Sequence, residues 1–183
     1  LTVSDIAVLR HAAEKAGAEP QISVLIGKGQ AACCVSGEDV NECYVRPLRK
    51  PWEFFAIVRE HDLVVDIAGG DSFADIYGRR RIFQMLLQKF LVHFSRTPLV
   101  MAPQTTGPFK NWVWRKLAVG SIRRSAIVTT RDAKSTAFLR EIGIQGNIVE
   151  ASDVALRLPY TPPEPRADDA KPKVGINISG LLM

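Results

Sequence analysis

Along the chain, short apolar or β-branched runs alternate with longer stretches in which apolar residues recur every three or four positions. The runs Ile22 to Ile26, Leu63 to Ala68 (LVVDIA), Pro98 to Ala102 (PLVMA), Ala126 to Thr130 (AIVTT), Asn147 to Glu150 and Lys173 to Ser179 (KVGINIS) predict strands. Helices are predicted over Val3 to Ala16, Trp52 to Glu60, Arg80 to Phe94, Asn111 to Arg123 and Asp132 to Ile142. In the third of these, Ile82, Met85, Leu86, Lys89, Phe90 and Phe94 trace one apolar face at three-four spacing. Strand, helix, strand is the rhythm of a parallel sheet with helices on both faces, and right-handed crossovers fix its broad topology. The expectation is therefore an α/β fold with a Rossmann-like parallel sheet.

The rhythm breaks at Pro159 to Pro172, where five prolines in fourteen residues predict an extended, exposed linker. One fresh strand follows, and a lone strand has no partner of its own. The expected organisation is a domain over residues 1–158, a Pro-rich linker over 159–172, and the first strand of a truncated second domain over 173–183. A chain that opens on Leu1 rather than Met reads as an excerpt of something longer.

Composition narrows the class. With 183 residues, 46% of them hydrophobic and 23% charged, the chain can bury a full core, which excludes disorder, collagen and coiled coil. No apolar run approaches the roughly 20 residues that span a bilayer. Cys33, Cys34 and Cys43 are odd in number, two of them adjacent, and form neither a disulfide framework nor a zinc spacing; they point to a reducing compartment. The net charge of +5 hides an asymmetry: Arg79 to Arg140 holds thirteen Lys or Arg against Asp132 alone, a local +12, while the remainder carries −7. Such a block attracts phosphates, anionic head groups, acidic glycans or nucleic acid, and composition does not choose among them.

Gly27-Lys28-Gly29-Gln30-Ala31-Ala32 imitates a dinucleotide fingerprint after a strand, yet Cys33 to Glu42 reads as loop, so no helix N-terminus is predicted to receive a pyrophosphate. The stronger pattern lies at three strand ends: Gly69-Gly70-Asp71-Ser72, Gln104-Thr105-Thr106-Gly107-Pro108, and Arg131-Asp132 with Ser135. In a parallel sheet these ends share one edge, where ligands bind. Exposed glycine amides, Gln and Thr side chains and a guanidinium suit an oxygen-rich or anionic ligand. Each part also has a structural explanation: Gly-Gly as a tight turn, Asp71 and Asp132 as helix caps, Gly107-Pro108 as turn punctuation.

Those segments carry a resemblance. DIAGGDSFADIYG, PLVMAPQTTGPFKN, TTRDAKSTAFLREIGI, SDVALRL and KPKVGINISG, in that order from about Asp62 to Gly180, resemble the polysaccharide pyruvyl transferase family. Leu1 to Arg10 is similar to the family's first glycine-rich loop and helix, usually Asn-x-Gly-Asp; here Asp5 aligns, while Thr2 and Ser4 replace Asn and Gly. The resemblance implies the N-terminal half of a two-domain, glycosyltransferase-B-like architecture. It implies transfer of an enolpyruvyl group from phosphoenolpyruvate to a sugar of a bacterial exopolysaccharide or cell-wall glycan precursor, closing a cyclic ketal and releasing phosphate. The donor is a substrate, so no cofactor is expected. Such precursors are commonly lipid-linked, which implies a cytoplasmic enzyme at the inner face of the membrane.

That chemistry needs cations for the donor's carboxylate and phosphate, an acid for the methylene carbon and a base for the attacking hydroxyl. The expected binding set is Asp5, Gly69, Gly70, Asp71, Gln104, Thr105, Thr106, Gly107, Arg131 and Ser135. Arg131, in the family's Arg-Asp-x-x-Ser pattern, is the candidate for the donor's carboxylate or phosphate; the alternative is a strand-end ion pair with a neighbouring acid. His11, His61 and His93 fall outside the strand-end loops, so the acid and base are assigned to the second half, and the chain by itself is expected to be inactive. No metal is expected, because no His or acid cluster has ligand spacing.

Asn111 to Arg124 (NWVWRKLAVGSIRR) combines two tryptophans with four basic residues, the composition of an interfacial helix for anionic membranes; the alternative is a core helix whose tryptophans staple the preceding loop. Two further readings compete: a nucleotide-sugar glycosyltransferase of the same architecture, and a non-catalytic anion-binding or nucleic-acid-binding module. The latter lacks aromatics interleaved with arginines as a stacking platform, and no nucleic-acid partner is expected.

Overall fold

The computed structural model describes residues 2–27, 37–68, 72–157 and 161–162. Among the described residues five helices and six strands follow in the order α1 (Thr2–Lys15), β1 (Ile22–Gly27), β2 (Val40–Val45), α2 (Pro51–Arg59), β3 (Val64–Asp66), α3 (Arg79–Ser95), β4 (Leu99–Gln104), α4 (Trp112–Arg124), β5 (Ile127–Thr130), α5 (Ala133–Glu141) and β6 (Ile148–Glu150). Short 3-10 turns occupy Asp75–Tyr77 and Val154–Arg157. Every pairing is parallel, in a two-stranded sheet β1-β2 and a four-stranded sheet β3-β4-β5-β6. This is the Rossmann-like α/β arrangement that the alternating pattern predicts. Neighbours in the larger sheet are also neighbours in sequence, each pair joined through one helix, α3, α4 or α5.

Two cores hold the layers together. One gathers Phe73, Ile82, Met85, Leu86, Met101, Ala118, Ile122, Val128 and Leu139 between the larger sheet and its helices. The other joins Val45, Phe54, Val58, Val92 and Leu99, with Leu25 and Val64 packed against it, and so ties the smaller sheet through α2 and α3 to the larger one. Thr97 Oγ1 adds a hydrogen bond of 3.1 Å to the Val58 carbonyl at the end of α2.

Four expectations need correction. The loop expected over Cys33 to Glu42 ends in a strand, since Val40–Val45 pairs with β1 from Ile22↔Val40 to Gly27↔Val45. Its polar positions Asn41 and Glu42 face solvent, and backbone pairing overrides the weak apolar pattern. The strand expected to stop at Ala102 runs on to Gln104. A register shift between Met101 and Gln104 accommodates Pro103, which has no N–H to give the ladder. The strand expected over Leu63 to Ala68 shortens to Val64–Asp66, because the Asp66 carboxylate accepts the Ala68 N–H (3.1 Å) and turns the chain. On α3, Phe94 is 74% exposed and Val92 is buried instead. Twelve residues beyond Ile82, at about 100° per residue, Phe94 stands about 120° from that position and off the apolar stripe.

Cys43 is a free thiol on β2, whereas Cys33 and Cys34 lie outside the described residues. So do the fingerprint mimic Lys28 to Ala32, all of the expected linker except Thr161 and Pro162, and the expected strand Lys173 to Ser179. Among the described residues no helix is long and apolar enough to cross a membrane.

Candidate functional site

The carboxyl ends of β4, β5 and β6 are joined into one rim by polar side chains. Thr105 Oγ1 donates to Asp132 Oδ2 (3.1 Å) and accepts from Arg131 Nε (2.9 Å). Arg131 Nη1 donates to Asp153 Oδ2 beyond β6 (3.1 Å). The Thr106 N–H donates to Ser135 Oγ (3.1 Å), whose hydroxyl in turn donates to Asp132 Oδ2 (3.1 Å). Loops separated by more than twenty residues therefore converge because the sheet order places their strands side by side.

Asp132 has a second task. Its Oδ1 accepts the Ser135 N–H at 2.7 Å and caps α5, satisfying a donor that the helix itself leaves unpaired. Partial burial would raise its pKa, but the two Ser135 bonds, the Thr105 hydroxyl and the Arg131 charge outweigh burial and hold the carboxyl below its usual range. Asn111 caps α4 in the same way, accepting the Val113 and Trp114 N–H groups.

The β3 end enters the rim through backbone. Phe73 bridges to Thr106 in parallel register, its N–H donating to the Thr105 carbonyl (2.9 Å) and its carbonyl accepting the Gly107 N–H (2.8 Å). Gly107, at φ +78°, precedes a cis peptide bond to Pro108; a Cβ there would stand 2.2 Å from the Phe138 ring, so this position requires glycine. Gln104 is buried, with its Nε2 at 3.5 Å from the Asp66 carbonyl. Beneath it, Lys89 reaches from α3 to form an ion pair with Asp66, and its ammonium lies 4.1 Å from the centre of the Phe73 ring. Arg81 Nη2 donates to the Ala68 carbonyl (3.0 Å), just before the glycine loop.

Asp5 approaches from another direction. The α1 helix packs on the 3-10 turn at Val154–Arg157, which brings the Asp5 carboxyl near Asp153. Burial, reinforced by the Asp153 charge, pushes the Asp5 carboxyl up to about 6. Asp5 Oδ2, the neighbouring Ser4 Oγ, Gln104 Oε1 and Thr106 Oγ1 are all buried without a hydrogen-bond partner among the described residues. Buried polar atoms are normally satisfied, so these atoms carry hydrogen-bonding capacity that a polar ligand or water would use.

Of the residues singled out from sequence, Gln104, Thr105, Thr106, Gly107, Arg131 and Ser135 thus stand together, and Asp5 reaches the same edge through Asp153. Gly69, Gly70 and Asp71 lie outside the described residues. Both structural alternatives for the third loop are also realised, since Asp132 caps a helix and Arg131 pairs with an acid. Sequence reasoning passed over Asp66, Lys89 and Asp153. Asp153 follows an apolar strand run, the criterion that marked Arg131, and so was findable; Asp66, inside the run read as one strand, and Lys89, buried in mid-helix, were not. The histidines stay apart from the rim: His61 Nδ1 is 2.8 Å from the Ile57 carbonyl, and His93 Nε2 is 3.0 Å from Ser121 Oγ. Among the described residues no His, Cys, Asp and Glu cluster could hold a metal ion.

A parallel α/β sheet whose strand ends gather a guanidinium, hydroxyls and unsatisfied polar atoms defines a Rossmann-like protein with a polar site at its carboxyl edge. Comparison with known families gives the particular kind: the family model described as polysaccharide pyruvyl transferase matches residues 35–180, and the chain belongs to this family of transferase enzymes. The match begins upstream of Asp62 and so takes in β2 and α2 as well as the rim. No curated protein and no solved structure matches the chain.

Proposed function

We propose that this rim binds phosphoenolpyruvate and that the enzyme transfers its enolpyruvyl carbon skeleton to two hydroxyls of a glycan. The observation that carries the reading is the position of Arg131, held between Thr105 and Asp153 at the edge where three strands end. Two of its nitrogens are engaged there, and Nη2, with no partner among the described residues, remains for a carboxylate or phosphate. Gln104 and Thr106 would supply neutral hydrogen bonds around it.

The reaction balances without an external oxidant or reductant. A proton adds to the methylene carbon of the donor and makes it a methyl group. One sugar hydroxyl adds to the central carbon and loses its proton. The second hydroxyl displaces phosphate from that carbon and gives up its proton to the departing phosphate, closing the ketal, while the carboxylate is carried through unchanged. Cationic and amide donors aimed at the carboxylate and the departing phosphate lower the barrier to both additions.

Titration calorimetry of the chain with phosphoenolpyruvate tests the donor assignment. Binding should weaken by about 10- to 100-fold in Arg131→Ala, the range expected for losing a charge-assisted hydrogen bond to an anion. Unchanged affinity in that variant, or binding of a nucleotide sugar in place of phosphoenolpyruvate, would overturn it.

A further inference from the structure

The sequence leaves two fates open for the tryptophans of α4, and the structure divides them. Trp114 packs half-buried against the main core with Ala118, Ser121 and Ile122. Trp112, two residues earlier, is 73% exposed. The helix therefore presents its opposite side outward, where Trp112, Arg115, Lys116, Val119, Gly120 and Arg123 line a groove of about 430 Å³. Val119 and Gly120 form an apolar floor, the long basic side chains form its walls, and Trp112 stands at one end. None of these residues belongs to the rim.

We propose that this face docks on an anionic lipid bilayer. Charge complementarity is the first ground. The helix contains no Asp or Glu, and among the described residues no salt bridge engages Arg115, Lys116, Arg123 or Arg124. Its neighbours extend the field, since Arg79 and Arg80 on α3 and Lys134 and Arg140 on α5 are exposed, while the acid of that whole stretch, Asp132, is engaged at the rim. Apolar reach is the second ground. Trp112, exposed at the groove's end, can enter the boundary between head groups and acyl chains, with Val119 in the floor behind it and arginines and lysine at head-group level. A nucleic acid would use the same charges but would leave the apolar floor of the groove without a role.

This inference goes beyond pyruvyl transfer and does not depend on it. It has a geometric consequence, because Trp112 directly follows the loop from the rim to Asn111. Docking there brings the rim's loop from Gln104 to Pro108 close to the membrane surface.

Co-sedimentation of the chain with phosphatidylcholine vesicles, with and without phosphatidylglycerol, provides the test. Binding is expected to the mixed vesicles alone. Changing Arg115, Lys116, Arg123 and Arg124 together to Gln should weaken it about 100-fold or more, and Trp112→Ser about tenfold, with thermal melts confirming that each variant folds. Brominated lipid should quench part of the tryptophan fluorescence, a part missing in Trp112→Phe. Equal sedimentation with neutral vesicles, or equal binding by the charge variant, would overturn the proposal. So would a single-stranded oligonucleotide that binds more tightly than the vesicles through the same four residues.

Discussion

The carboxyl-edge rim and the outer face of α4 both draw on the cationic block of the sequence, but they use charge in opposite ways. At the rim, Arg131 is held by Thr105 and Asp153, Lys89 by Asp66, and Arg81 by the Ala68 carbonyl. On α4, Arg123 and Arg124 touch the backbone carbonyls of Gly143 and Gly120, while Arg115 and Lys116 extend into solvent. A paired, partly buried cation has a fixed position and gives a small ligand a defined geometry. A solvated cation contributes to a field that selects a charged surface without imposing a pose.

The buried pair under the rim offers the most severe test of that contrast. Lys89 is 2% exposed, and Lys89→Ala would leave Asp66 as an uncompensated carboxylate below Gln104, with a loss of about 3–5 kcal/mol in denaturant unfolding. A double change, Lys89→Met with Asp66→Asn, removes both charges and keeps the volume, so it should recover most of that loss. If Lys89→Ala costs less than about 1 kcal/mol, the pair does not support the rim, and the distinction from α4 narrows.

A second test bears on the approach of α1 to the same edge. The Asp5 carboxyl is raised from 3.8 to about 6, so the folded chain binds this proton more tightly than the unfolded chain does. Its stabilising contribution is complete below the unfolded value and is lost as pH rises through the folded one; at neutral pH the ionised group opposes folding. Asp5→Asn should therefore stabilise the chain at about pH 7 by about 3 kcal/mol, with little difference at about pH 3. Thermal melts of both proteins across that range decide it, and parallel curves would mean that Asp5 is solvated.

Much of this architecture was legible because its two signals are local. Strands appear as β-branched runs and helices as three-four spacing, and five helices and five strands were located with no end shifted by more than two residues. What was not legible depends on contacts distant along the chain. The strand β2 exists through its pairing with β1, since Asn41 and Glu42 dilute its apolar pattern. Gln104 joins β4 because a bulge absorbs Pro103, which read as a terminator. The pairing of Arg131 with Asp153 spans 22 residues, and only the order β4-β5-β6 brings the two together. Lys89 was read as one of the positions of an apolar face, and its partner Asp66 lies on another element.

The smallest expected effect is the sharpest discriminator between the two regions. Arg115→Gln with Lys116→Gln should change unfolding free energy by no more than about 0.5 kcal/mol, because exposed charges without a fixed partner contribute little to a fold. Arg131→Gln, by contrast, breaks the contacts to Thr105 and Asp153 and should cost about 1–2 kcal/mol. Chemical denaturation of the two variants side by side reads the difference directly. If the α4 variant loses as much as the rim variant, its cations are props of the helical layer, and they are not free to meet a partner; if it loses nothing, no structural need accounts for concentrating them there.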